Sequence, residues 1–271
     1  MVLSGGGAKA AAHLGAYRAV REAGFEPAWF VATSMGAVVA AGLASGVGHD
    51  ELLEKIAARG ARSIVREPLA AVAGLHVRSL LKSAPLRRLI EELVPARRFS
   101  DLAVPLTVTA VDLDSGELAL FGAGAQLAPL VDVLCASCAL PMYYPPVLLG
   151  GRRYGDGGLR GVVPLEPAAE LEVELVVAVD VGPGFDVPPP AVLPRIPSML
   201  RAHDDAVGIL MAAHSQAQLA LWKADPARPP LVYVRPRIER DATFSIHRVS
   251  EYVSEGRRAT REALDRWGRD S

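Results

Sequence analysis

The sequence predicts an α/β sandwich built on a mostly parallel sheet. Runs such as "LVVAVDV" (175–181) and "LTVTAV" (106–111) are apolar and β-branched throughout, as strands buried on both faces are. Segments with helical periodicity lie between such runs, and strands that alternate with helices build parallel sheets. The chain has 271 residues, 51% hydrophobic and 22% charged, which supplies the core of one large domain over 1–271.

In chain order, Val2–Ser4 is the first strand. Ala8–Ala23 is a helix that stops at Gly24. Trp29–Ala32 is a strand, and Met35–Ser45 a helix that ends at Gly46. Leu86, Leu89, Ile90 and Leu93 recur at helical spacing and predict a helix over Ala84–Leu93. Leu106–Val111, Leu118–Phe121, Leu175–Asp180 and Leu231–Arg235 complete the strands. A proline-rich loop (182–198) precedes an amphipathic helix from His203 to about Trp222. The last helix, Ser250–Trp267, places Tyr252, Val253, Gly256, Ala259, Ala263, Leu264 and Trp267 near one face. Residues 60–100 and 183–222 are expected as surface excursions or a lid over a site.

Formal net charge is −1, which gives no electrostatic reason for a nucleic-acid partner. The two cysteines make no disulfide framework, and a cytosolic setting is expected. No secretory signal pattern is read at the start, and no apolar run reaches the roughly 18 residues of a membrane span.

Three short motifs carry chemistry. Gly5-Gly6-Gly7-Ala8-Lys9 follows the first strand and opens a helix, so its backbone N–H groups can face a negative charge. Ala32-Thr33-Ser34-Met35-Gly36 is a strand–Ser–helix junction of the nucleophile-elbow type, with alanine for the usual first glycine. Alone, Ser34 reads equally as a helix cap. Asp156-Gly157-Gly158 follows "RRY", and alone it reads as a hairpin turn. Together they supply what a serine hydroxyl needs: a base in Asp156 and preorganised donors in the glycine turn.

This ordered set resembles the bacterial patatin-like acyl hydrolases, whose signatures are G-G-G-x-[RK]-G, G-x-S-x-G and Asp-Gly-[GA]. The likeness extends through 99–121, 136–159 and 230–264. It implies a three-layer α/β/α sandwich and a Ser34–Asp156 dyad that works without histidine. It also implies an oxyanion hole of Gly5, Gly6, Gly7 and Ala8, with Lys9, Met35, Gly36, Gly157 and Gly158 in support. No metal or organic cofactor follows. The implied substrate is a lipid or other acyl ester, and peripheral contact with a membrane is expected. Lys9, Ala10, Ala32, Gly161 and Val162 depart from the commoner family residues, which leaves a degenerate lipid-binding protein as an alternative.

Other residues invite competing readings. Cys135-Ala-Ser-Cys138 has redox or zinc spacing, yet no second pair or nearby histidine accompanies it, and packing is expected. A histidine-dependent esterase or thioesterase would draw its base from His247, while His13 is expected to pack on the first helix. Asp180 reads as a strand-end carboxylate or a pocket wall, and Asp112 and Asp114 as turn residues.

Overall fold

The computed structural model describes residues 1–63, 79–185, 198–239 and 245–270. Parts of both expected excursions, 64–78 and 186–197, lie outside the described residues. The strands are β1 (Val2–Leu3), β2 (Phe30–Thr33), β3 (Leu106–Asp112), β4 (Leu118–Gly122), β5 (Val147–Leu149), β6 (Arg152–Asp156), β7 (Val176–Val179) and β8 (Leu231–Val234). They form one sheet of order β5-β6-β3-β2-β1-β7-β8, with β4 paired to β3. From β3 to β8 every pairing along that path is parallel; β4, β5 and β6 run antiparallel to their neighbours.

The longer helices are α1 (Ala12–Glu22), α2 (Ser34–Ala44), α3 (His49–Ser63), α4 (Ser83–Leu93) and α5 (Leu130–Ser137). Two single turns follow, α6 (Gly158–Gly161) and α7 (Leu165–Ala168), then α8 (Ser198–Ala224) and α9 (Val249–Asp270). Successive strand residues point to opposite faces, and the core divides accordingly. Leu3, Ala32, Val177 and Val179 pack with α1, α2, α5 and α9 on one face. Val2, Val31, Val176 and Ala178 pack with Val162, Leu165 and Trp222 on the other. The result is the three-layer sandwich.

Every strand read from the sequence is present within one or two residues at each end. α3, α5 and β5 are elements beyond those expected from the sequence. The expected helix over residues 84–93 is present as α4, with Leu89, Ile90 and Leu93 buried in the main core. The helix expected from His203 begins earlier, at Ser198.

Two registers bring distant segments together. β2 pairs with β3 as far as Thr33–Thr109, and β6 pairs with β3 from Ala110–Asp156 onward. β4 fills the other edge of β3 over Thr107–Val111. Therefore β2 and β6 lie end to end along one edge of β3, and the residues after Thr33 meet the end of β6.

The N- and C-terminal helices also touch closely. A Cβ on Gly15 would lie 1.8 Å from the Val253 carbonyl oxygen, and one on Gly256 would lie 2.0 Å from that of Ala12. Glycine at both positions lets α1 and α9 pack backbone to backbone. Gly256→Ala is expected to lower stability by about 2–3 kcal/mol. Gly268→Ala, on the same helix with nothing within 4 Å of its Cβ, is expected to be neutral or stabilising by up to about 1 kcal/mol. Denaturant unfolding of the two variants checks both signs.

Candidate active site

Ser34 opens α2 directly after β2. Its φ of 55° is left-handed, a conformation non-glycine residues seldom adopt outside strained functional turns. The turn is tight: a Cβ on Gly36 would stand 2.3 Å from the Ser4 carbonyl oxygen, so only glycine fits. Ala32, where the motif usually has glycine, is fully buried in the strand and fits without strain. Thr33 is pinned from below by a 2.6 Å hydroxyl contact with Thr109.

The Ser34 hydroxyl donates to Asp156 Oδ2 at 2.8 Å. Asp156 Oδ1 accepts the Gly158 N–H at 2.8 Å. Gly157 is obligatory, since a Cβ there would lie 2.4 Å from Thr109 Oγ1. Met35 borders the same space. One residue escaped the sequence reading. The Ser34 N–H, an orphan donor at the start of α2, is taken by Ser137 Oγ at 2.7 Å. Ser137 ends α5 and lies inside the C-x-x-C segment, so its signal was hidden by the cysteines around it.

The glycine turn bends beside this pair. Gly7 has a φ of 60° and opens a 3₁₀ turn over Gly7–Ala11, whose first N–H groups have no partner within the turn. Gly6 approaches the next loop, where a Cβ would meet the Val181 carbonyl oxygen at 2.8 Å. Gly5 differs from its expected part. Its N–H donates to the Val162 carbonyl at 2.9 Å, so it is spoken for. The position serves packing, because a Cβ there would stand 3.1 Å from Ser34 Cβ. Gly6, Gly7 and Ala8 line the cavity beside Ser34. The departures from the family pattern are accommodated: Ala10 and Val162 are both buried.

A buried polar frame holds this turn. Lys9 is 2% exposed, and its ammonium donates to the Gly182 carbonyl at 3.3 Å. The Val181 N–H donates to Ser4 Oγ at 2.8 Å, and the Gly182 N–H to Asp180 Oδ1 at 2.8 Å. Asp180 also accepts from Tyr233 at 2.8 Å and pairs with Arg235. Asp180 thus anchors the loop behind the glycines and does not line the cavity.

Burial pushes the Asp156 carboxyl up to about 6, against the opposing pull of the Gly158 N–H and the Ser34 hydroxyl. Burial pushes the thiol of Cys135 up to about 11 and that of Cys138 well above the ordinary range, so neither is primed as a thiolate. Both cysteines are free, and Cys138 Sγ lies 4.0 Å from Met35 Sδ. Asp112 and Asp114 form ion pairs with Arg152 and Arg153. Among the described residues no group of three or more His, Cys, Asp or Glu gathers as a metal site.

Ser34 and Asp156 sit in a cavity of about 180 Å³ whose walls are mainly apolar. Ile56 of α3, Leu86 and Leu89 of α4, Met211 of α8 and Val249 of α9 contribute, so helices from both expected excursions form its walls. Among the described residues, no histidine lines the cavity. His247 is exposed on a short turn. His13 is fully buried with Nε2 2.8 Å from the Ser4 carbonyl, and burial lowers it to about 4, so it stays neutral. A carbonyl only accepts, so Nε2 carries the His13 proton. Ser137→Ala leaves the Ser34 N–H buried without a partner; a loss of about 1–3 kcal/mol is expected, read as a lower urea midpoint at unchanged slope.

The model of the patatin-like phospholipase family matches residues 1–169. An uncharacterized NTE family protein of Mycobacterium tuberculosis is 30% identical over 209 residues, 74% of this chain and 55% of that protein. A patatin-like phospholipase domain-containing protein of Caenorhabditis elegans is 31% identical over 187 residues, 67% of this chain and 13% of its own length. The chain thus spans about half of the mycobacterial relative. Among solved structures, VipD from Legionella pneumophila superposes with a TM-score of 0.51 at 16% identity, over 97% of this chain and 66% of VipD, a likeness of fold. With the family model matched over more than half its length, this chain belongs to the patatin-like phospholipase family.

Proposed function

We propose that the protein is a serine acyl hydrolase of lipid esters, of phospholipase A or lysophospholipase type. The observation that carries this reading is the 2.8 Å hydrogen bond from Ser34 to a buried Asp156 inside an apolar cavity. Ser34 Oγ attacks the ester carbonyl carbon while its proton passes to Asp156 Oδ2. The carbonyl oxygen becomes an oxyanion and takes hydrogen bonds from the N–H groups of Gly6, Gly7 and Ala8. Collapse of this intermediate breaks the bond to the alcohol, which leaves with the proton from Asp156. Asp156 then takes a proton from water as the hydroxide adds to the Ser34 acyl ester; collapse breaks the bond from the acyl carbon to Ser34 Oγ, Asp156 returns the proton to Oγ, and a free fatty acid is released. The direct hydrogen bond from Ser34 Oγ to Asp156 Oδ2, with no histidine lining the cavity among the described residues, favours the carboxylate over an imidazole as base. Apolar walls suit an acyl chain and exclude water around Asp156, which keeps the base strong enough for the first transfer.

Incubation with a fluorescent alkyl phosphonate, followed by intact mass, tests the nucleophile. Wild type is expected to gain one label and Ser34→Ala none, with ester hydrolysis by Ser34→Ala reduced on the order of 10³-fold or more. A folded wild type that takes no label overturns the reading. Because the base acts ionised, kcat/KM is expected to fall about tenfold per pH unit below about pH 6, following the raised Asp156 carboxyl.

The same burial makes a prediction about stability. A carboxyl whose folded pKa lies above its unfolded value stabilises the fold below the unfolded pKa. That contribution is lost as pH rises from 3.8 through about 6. The charged form therefore costs on the order of 3 kcal/mol at neutral pH. Asp156→Asn is expected to abolish turnover while its melting temperature, relative to wild type, is more favourable at pH 8 than at pH 4. A melting difference independent of pH contradicts this.

A further inference from the structure

The long helix α8 has an outer surface that its place in the fold does not explain. Its inner side is committed: a Cβ on Gly158 would lie 3.3 Å from Met211, one on Gly208 would lie 3.7 Å from Pro183, and Trp222 is buried in the core of that layer. At 100° per residue, the exposed positions from Met199 to Leu221 fall on the opposite side, within an arc of about 140°. Met199 is 78% exposed, Ile209 54%, Leu210 70% and Leu221 57%. The other exposed residues of this arc are Gln216 and alanines. The exposed residues from Ser198 to Leu221 carry no charge; half-buried His203 lies at one edge of the arc, half-buried Asp205 and exposed Lys223 lie just beyond the other edge, and Arg201 and Asp204 lie off this face.

We infer that this face of α8 docks on a lipid surface, an inference that rests on the hydrolase reading above and names where such an enzyme meets its substrate aggregate. Two arguments select this occupant. The first is area. From Met199 to Leu221 the helix presents a face about 35 Å long and about 10 Å wide, on the order of 350 Å². A stable protein pair buries about 800 Å² on each partner, so one helix face is too small to hold a second copy, while it matches the patches that mark interaction sites. The second is continuity with the cavity. Met211 of the same helix lines the cavity that holds Ser34 and Asp156, and Tyr143 of the cavity wall donates to Asp204 of α8 at 2.6 Å. Met142, beside that tyrosine, is itself 42% exposed. A helix that lies in the headgroup region would place lipid one helix thickness from the reacting groups. The exposed residues of the face carry no charge and ionisable groups are confined to its edges, so attachment is apolar in origin.

The test uses Ser34→Ala protein and vesicles of diether phosphatidylcholine, which carry no ester to cleave. Co-sedimentation is expected, equal on zwitterionic and anionic vesicles and unchanged in high salt. Ile209→Glu/Leu210→Glu in the same background is expected to bind at least about tenfold more weakly, with Ile209→Gln/Leu210→Gln intermediate. In the wild-type background the glutamate pair is expected to hydrolyse a short water-soluble ester at the parent rate, which also shows that it is folded, and to lose activity on ester-lipid vesicles. Vesicle binding by a protein that cleaves no ester would support the surface and sink the hydrolase reading. Ester hydrolysis with no vesicle binding, with equal binding by the glutamate pair, or with binding that salt abolishes, would overturn the surface. So would a dimer in solution that the glutamate pair dissociates, since it assigns the face to a second copy.

Discussion

The site depends on one edge of one strand. β3 offers that edge to β2 over its first residues and to β6 over its last, and the two partners run in opposite directions. The carboxyl end of each therefore arrives at the same point. Ser34 follows Thr33 there, and Asp156 ends β6 there. Sheet pairing is rigid because a slip of one residue would turn every side chain to the other face. A separation of 122 residues along the chain is reduced in this way to a hydrogen bond.

What this junction costs, the surroundings supply. A left-handed serine and a buried carboxylate are each unfavourable by about 1–3 kcal/mol at neutral pH. Neighbouring backbone meets them at every side. Gly36 and Gly157 admit carbonyl and hydroxyl groups where any side chain would collide, Ser137 takes the Ser34 N–H, and Gly158 donates to Asp156. The glycine turn is held the same way, by Lys9, Ser4 and Asp180 acting on the loop at residues 181–182.

The sequence made the strands legible because a strand buried on both faces has little choice but apolar β-branched residues. Elbow, glycine turn and Asp-Gly-Gly were legible because each is a local backbone device with its own residue requirements. α5 was not, since the short, largely apolar run "LVDVLCAS" carries only a weak amphipathic period and reads equally as a buried strand. Ser137 was hidden with it. Gly5 was read as a donor because all three glycines look alike in sequence, and only the Val162 carbonyl beneath it distinguishes the first.

Local chemistry was thus decided by the sequence alone: which residue can turn left-handed, which turn exposes its N–H groups, which carboxyl follows a strand. Whether those pieces face one another was decided by the tertiary structure. The pairing of β2 and β6 along β3 gives Ser34 its carboxylate, and the helices packed around it raise the Asp156 carboxyl by excluding water. Neither effect has a signature within any window of the chain. Proximity and desolvation are properties of groups that are distant in sequence, and they exist only once the layers have closed.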